Sequence, residues 1–109
     1  MTIGIAAAVP VGLVMYPQKA ELNYTAGLLS ELTLKPYWIL NDGTQTPVSS
    51  GATFTGTDGL TIDASTGVCS WNKAYNANAI ATCTATYQGA SYKATTSLTC
   101  VYPSNTPYL

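Results

Sequence analysis

The chain is 109 residues long with 47% hydrophobic and 8% charged residues, enough apolar material for one core and too little length for two. Four Lys and five acidic residues give a formal net charge of −1, and Arg and His are absent. This balance argues against a phosphate-neutralising surface, hence against nucleic acid, and removes the side chains that most often act as general base and oxyanion clamp.

Residues 1–16 carry no charge and include Ile3, Ile5, Val9, Val11, Leu13, Val14, Met15 and Tyr16. No Lys precedes Lys19, so the positive start of a secretory signal is missing. Pro10 and Gly12 interrupt a stretch already shorter than the ~20 apolar residues of a membrane span. An uncharged apolar segment costs free energy in water, so residues 1–18 are expected to form an uncleaved arm tied down on something else. A competing expectation rests on the Val-rich run and makes 9–15 the first strand of the domain.

Residues 20–25 read as a weak strand. Across 28–40, Leu28, Leu32, Leu34, Trp38 and Leu40 alternate with Glu31, Thr33, Lys35 and Tyr37. That is the period of one half-buried strand, with a bulge or an edge expected near Pro36. Asn41-Asp42-Gly43 turns the chain, 52–55 forms a short strand, and Leu60 with Ile62 marks another between Asp58-Gly59 and the 63–67 turn. Cys69 and Trp71 are placed inward.

The last two runs alternate most clearly. Ala79, Ala81, Cys83, Ala85 and Tyr87 face in while Ile80, Thr82, Thr84 and Thr86 face out; after Gln88-Gly89, Tyr92, Ala94, Leu98 and Cys100 face in while Ser91, Lys93, Thr95, Ser97 and Thr99 face out. A two-residue loop is expected to join them and to set Tyr87 opposite Tyr92. Ile80 is a lone apolar residue on the threonine face. No helix of ordinary length is visible, although 73–78 has room for one turn.

Reactive constellations are scarce. Cys69, Cys83 and Cys100 are odd in number, without CxxC spacing or a His to complete a metal site, so they read as reduced, buried, small hydrophobes suited to a reducing compartment. Asp58 and Asp63 bracket a turn, but Ca²⁺ wants more oxygen ligands than two carboxylates supply, and Asp at such sites supports turns. Tyr87 and Tyr92 belong by parity to strand packing, whereas Tyr37, Tyr75 and Tyr108 are the surface candidates. No catalytic residue, cofactor or metal is expected.

The ordered set Asp42-Gly43-Thr44, Ala52-Thr53-Phe54, Thr66-Gly67-Val68-Cys69-Ser70-Trp71 and Ala81-Thr82-Cys83-Thr84-Ala85-Thr86-Tyr87-Gln88-Gly89 resembles the bacterial immunoglobulin-like domains of the Big_2 type. The individual turns are weak signals and their order is the specific one. Cys83 departs from the pattern, standing where the family usually has a branched aliphatic residue. The likeness spans residues 20–102 and implies an all-β fold, an immunoglobulin-like antiparallel β-sandwich of about seven strands over 19–103. The extended N-terminal arm, 1–18, precedes it and a tail, 104–109, follows.

Domains of this family serve as spacers in bacterial adhesins and as modules on tailed-phage virions. A single domain with an apolar arm looks more like the second. A surface of Thr, Ser, Asn and Ala loses little side-chain entropy when packed against neighbours, which suits a many-copy assembly. The expectation is therefore a non-enzymatic phage virion structural protein, a capsid decoration or cement protein in a virion assembled in the host cytoplasm. It would dock on the major capsid protein or another virion protein through Ile3, Ile5, Val9, Val11, Leu13, Val14, Met15 and Tyr16. The alternative is a tail, fibre or adhesin module that binds host-surface glycans or proteins through Asn41, Asp42, Thr44, Asn72, Tyr75 and Asn76.

Overall fold

A computed structural model describes residues 8–25, 28–29 and 31–102. Among the described residues the fold is all-β without a helix: β1 Pro10–Tyr16, β2 Lys19–Thr25, β3 Leu28–Leu29, β4 Glu31–Thr33, β5 Lys35–Leu40, β6 Gln45–Pro47, β7 Ala52–Gly56, β8 Thr61–Ile62, β9 Val68–Ser70, β10 Ala77–Tyr87 and β11 Ala90–Val101. They form three sheets, in the orders β1-β5-β6, β3-β2-β11-β10-β7 and β4-β9-β8. Every pairing is antiparallel except β2 with β11, which is parallel from Ser97↔Lys19 to Val101↔Asn23.

The β10–β11 hairpin is the backbone of the fold, and its alternation explains why. Ala79, Ala81, Cys83 and Ala85 are buried, as are Leu98 and Cys100, while the intervening Thr and Ser side chains look outward. Gln88 and Gly89 both take positive φ, 49° and 83°, the geometry that matches a two-residue turn to strand twist. The expected parity holds but one pairing does not: Tyr87 lies opposite Ala90 and Tyr92 opposite Ala85. With the turn at 88–89, residues 87 and 90 must close the ladder, so the two tyrosines end up diagonal. Trp38 from the other layer fills the space between them, with ring centroids 6.2 Å from Tyr87 and 5.6 Å from Tyr92.

The single strand expected over 28–40 is broken into β3, β4 and β5. The decisive break is at Leu34, two residues before Pro36. Here the chain leaves β9, its partner up to Thr33, and joins β1 and β6 from Lys35 onward. Leu34 is buried, and its N–H donates to the Gly67 carbonyl at 3.0 Å. Only Gly suits position 67, where φ is +75° and a Cβ would sit 2.9 Å from both the Leu34 carbonyl oxygen and the Phe54 ring.

The inner faces of the sheets share one core, comprising Met15, Leu22, Leu34, Phe54, Leu60, Cys69, Trp71, Ala79, Ala81, Cys83, Leu98 and Cys100. Ser70 and Thr96 are the buried polar residues, and Thr96 is satisfied by donating its hydroxyl to the Pro17 carbonyl at 2.7 Å. That bond and Ser97 N–H to the Gln18 carbonyl, 3.0 Å, fasten the β1–β2 connection, which contains a cis Tyr16–Pro17 peptide, onto β11. The expected arm is thus divided. Residues 10–16 are strand β1, paired from Pro10↔Leu40 to Tyr16↔Lys35, because the Val-rich run has a ladder to join. Residues 1–7 and 104–109 lie outside the described residues, and 73–78 forms no helical turn.

Cys69, Cys83 and Cys100 are free thiols, each at most 1% exposed. Burial pushes the Cys69 and Cys83 thiols up to about 11, with Cys100 adding to the effect on Cys69, and raises Cys100 as well. The folded state therefore favours the neutral thiols. Their contribution to stability is fully present below the ordinary thiol value of 9.0 and is lost as pH rises toward 11. A thiol reagent at pH 8 is expected to label all three only after denaturant is added, as counted by mass spectrometry. Rapid labelling of the folded chain would contradict the assigned faces.

Candidate docking face and loops

Strand alternation gives the β1-β5-β6 sheet two very different faces. Inward, Met15 belongs to the core, Leu13 packs against it, and Trp38 meets Tyr87 and Tyr92. The opposite parity places Gly12, Val14 and Tyr16 of β1, Tyr37 and Ile39 of β5, and Gln45 and Pro47 of β6 on the outside. Three contacts verify that side. Tyr16 and Tyr37 meet edge to face with centroids 5.6 Å apart, the Tyr16 hydroxyl donates to Gln45 Oε1 at 3.0 Å, and a Cβ on Gly12 would lie 3.7 Å from Ile39 Cδ1. Val14 is in register with Tyr37, and Tyr37 with Pro47, so the apolar groups adjoin. Lys35 is the one charge on this face of β1, β5 and β6.

The five-stranded sheet shows the reverse. Its outward positions are Thr53 and Thr55 on β7, Thr82, Thr84 and Thr86 on β10, and Ser91, Lys93, Thr95, Ser97 and Thr99 on β11, with Lys19 and Glu21 beside them on β2. The register aligns Thr55, Thr82 and Thr95 in one row across three strands. Ile80 is exposed there, and its backbone is held by Thr57, whose hydroxyl accepts from the Ile80 N–H at 2.9 Å. One outer surface is thus hydroxyl-rich and hydrated, and the other aromatic and aliphatic.

The residues singled out for docking separate accordingly. Val14 and Tyr16 face outward, and Val9 and Val11 are exposed at the head of β1. Met15 is a core residue and Leu13 packs against the core, so neither lies on the outer face: alternation within β1 sends odd and even positions to opposite sides. Ile3 and Ile5 lie outside the described residues. Tyr37, Ile39 and Pro47 join the face although sequence reasoning did not select them together. The available signal was Ile39 sharing the parity of Tyr37 on a strand side otherwise read as polar.

The two loops proposed for host recognition do not converge. Asn41 is bound to Val9 by two hydrogen bonds, 2.9 and 3.2 Å, at the end of the fold where Trp38 meets the far end of β10. Asn76 Oδ1 accepts from Tyr102 N–H at 2.7 Å near the opposite end of β10, an eleven-residue strand, about 34 Å long at the ordinary rise. Their polar groups are also used internally. Asp42 accepts from the Thr44 hydroxyl and N–H at 2.6 and 3.0 Å, bonds that hold its carboxyl below the usual carboxylate range. Asn72 accepts from the Thr61 hydroxyl at 3.1 Å, and Tyr75 stands edge-on to Trp71, centroids 5.4 Å apart.

The acidic turn residues are occupied in the same way. Asp63 Oδ1 accepts from Ser65 and Thr66 N–H at 2.8 and 2.9 Å, which lowers its pKa, and Asp58 accepts from the Thr57 hydroxyl at 2.8 Å. Among the described residues no group of three or more His, Cys, Asp or Glu is placed to hold a metal ion. A cleft of about 170 Å³ beside β7, bordered by Pro36, Val48, Gly51, Phe54 and Ser65, carries no titratable side chain. No protein-family model matches this chain, and no curated protein aligns with it significantly.

Proposed function

We propose that this chain is a non-enzymatic structural subunit of a tailed-phage virion, a capsid decoration or cement protein. It seats the outer face of β1, β5 and β6 on the major capsid protein or another virion protein and displays the threonine face to solvent. The observation that carries this reading is the contrast between the two outer faces: Val14, Tyr16, Tyr37, Ile39 and Pro47 on one, a Thr and Ser array on the other. Aromatics and aliphatics gathered on one face, Tyr16 exposed and Val14, Tyr37 and Ile39 half-buried beside it, suit an interaction surface. At about 25 cal/mol per Å², a few hundred Å² buried there returns several kcal/mol per copy, and display in many copies multiplies a modest affinity.

An immunoglobulin-like sandwich is part of the same proposal. Support comes from the chain order of the ladders. β1 pairs antiparallel with β5 in one sheet, β2 crosses to pair parallel with the last strand in another, and a long hairpin closes the fold. The phage context rests on the resemblance of the turn order to Big_2 domains. Host-surface recognition is the weaker reading, since its loops sit at opposite ends with their polar groups engaged.

The test is co-sedimentation of the purified chain with capsids stripped of it. Tyr16→Lys with Ile39→Lys is expected to weaken capsid binding at least about thirtyfold, the consequence of burying charge in an apolar contact worth ~2 kcal/mol or more. Thr53→Lys with Thr95→Lys on the opposite face is expected to bind like the parent. The reverse pattern, or parental binding by both, would overturn the proposal.

A further inference from the structure

We propose that the fold is built to carry tension between the chain entering β1 and the chain leaving β11, and that the parallel β2–β11 ladder is the element that resists it. The docking face plays no part in this. The element concerned is the one parallel pairing among the described strands, which runs from Ser97↔Lys19 to Val101↔Asn23 over five successive residue pairs.

Strand direction decides how a ladder fails under load. The chain arrives at β2 beside Ser97 and leaves β11 beyond Val101, at the opposite end of the same ladder. A pull on the two therefore draws β2 and β11 along their own length in opposite directions. The bonds of a parallel pair are evenly spaced along it, so they share such a load and must give way nearly together. The β10–β11 hairpin is the contrasting case. Ala77 and Cys100 face each other at its open end, and a pull that separates them breaks one pair before loading the next.

The surroundings of the ladder keep it from being bypassed. Ser97 N–H to the Gln18 carbonyl, 3.0 Å, and the Thr96 hydroxyl to the Pro17 carbonyl, 2.7 Å, hold the chain just ahead of β2. On the inner side Leu22, Leu98 and Cys100 are at most 2% exposed, so opening the ladder also brings apolar side chains into water. β11 is fixed along its other edge by β10, from Ala77↔Cys100 to Tyr87↔Ala90. Upstream, β1 is laddered to β5 and packs alongside β11, so the segment that delivers the pull is itself anchored in the fold.

The experiment is single-molecule force spectroscopy of the full chain, pulled in three directions. One handle is always fused at the C-terminal end; the other is fused at the N-terminal end, or attached to Gln18→Cys or to Ala74→Cys. Both residues are exposed, Gln18 just before β2 and Ala74 just before β10, whereas the native thiols are buried. Pulled by its two ends, the fold is expected to break in one event at a force at least about twofold above that for pulling from residue 74, which opens the hairpin pair by pair. Pulling from residue 18 leaves β1 out of the path and is expected to need the same force as pulling from the ends. Urea unfolding of both variants at the parental midpoint ties any difference to the direction of pull rather than to stability. Equal forces from the ends and from residue 74 would overturn the proposal. A force from residue 18 as low as that from residue 74 would also overturn it, by assigning the resistance to β1. No capsid is present, so the outcome is independent of the co-sedimentation result.

Discussion

Cys83→Asp is expected to cost about 3 kcal/mol or more of unfolding free energy, while Thr84→Asp, one residue along, costs less than about 1 kcal/mol. Cys83 is 0% exposed, in register with Phe54 on β7 and Ala94 on β11. Its register partners are apolar and it belongs to the buried core, so an Asp there is an unpaired carboxylate in the core. Thr84 points the other way, between Thr53 and Lys93, where a carboxylate is hydrated and faces a cation. Urea denaturation followed by tryptophan fluorescence measures both. Equal losses would mean that the parity of β10, and with it the separation of core from threonine face, is wrong.

Trp71→Ala is expected to cost about 3–5 kcal/mol, most of the stability of a domain this small. Trp71 is the largest fully buried side chain, 0% exposed, and lies just past β9 in the irregular stretch leading to β10. Its indole N–H donates to the Tyr75 carbonyl at 2.8 Å, and the Tyr75 ring stands at 90° to its own. The loop from 72 to 76 is therefore folded over the indole it shields. Tyr75→Ala removes a ring that is half exposed and is expected to cost about 1 kcal/mol. A Trp71→Ala chain that unfolds at nearly the parental urea concentration would contradict this packing.

What the sequence conveyed followed from the strength of local alternation. The β10–β11 runs carry inward Ala and Cys against outward Thr over many residues, and a Gln-Gly turn leaves little choice of register, so faces and cysteine burial were legible. Across 28–40 the period of two also survived: Leu32 and Trp38 packed inward as read, yet the strand was not one strand. The break at Leu34 depends on Gly67, 33 residues on, approaching closely enough to take its N–H. No local pattern announces such a long-range contact. The same limit hid the apolar outer face. Val14, Tyr37 and Pro47 become neighbours only through the β1–β5 and β5–β6 registers. A charge-poor N-terminal stretch invited reading as an arm because its partner residues lie 19 to 30 positions away, from Tyr16↔Lys35 to Pro10↔Leu40, whereas Met15 shows that it supplies part of the core.

The most direct measurement is tyrosine footprinting of the chain free and bound to capsids, using a diffusible radical and mass spectrometry. Tyr16 and Tyr37 stand together on the proposed seat, while Tyr75 is exposed at one end of the fold. Docking through β1, β5 and β6 predicts that labelling of Tyr16 and Tyr37 falls several-fold on the particle while that of Tyr75 is unchanged. Protection of Tyr75 with Tyr16 and Tyr37 still labelled at their free rate would contradict it.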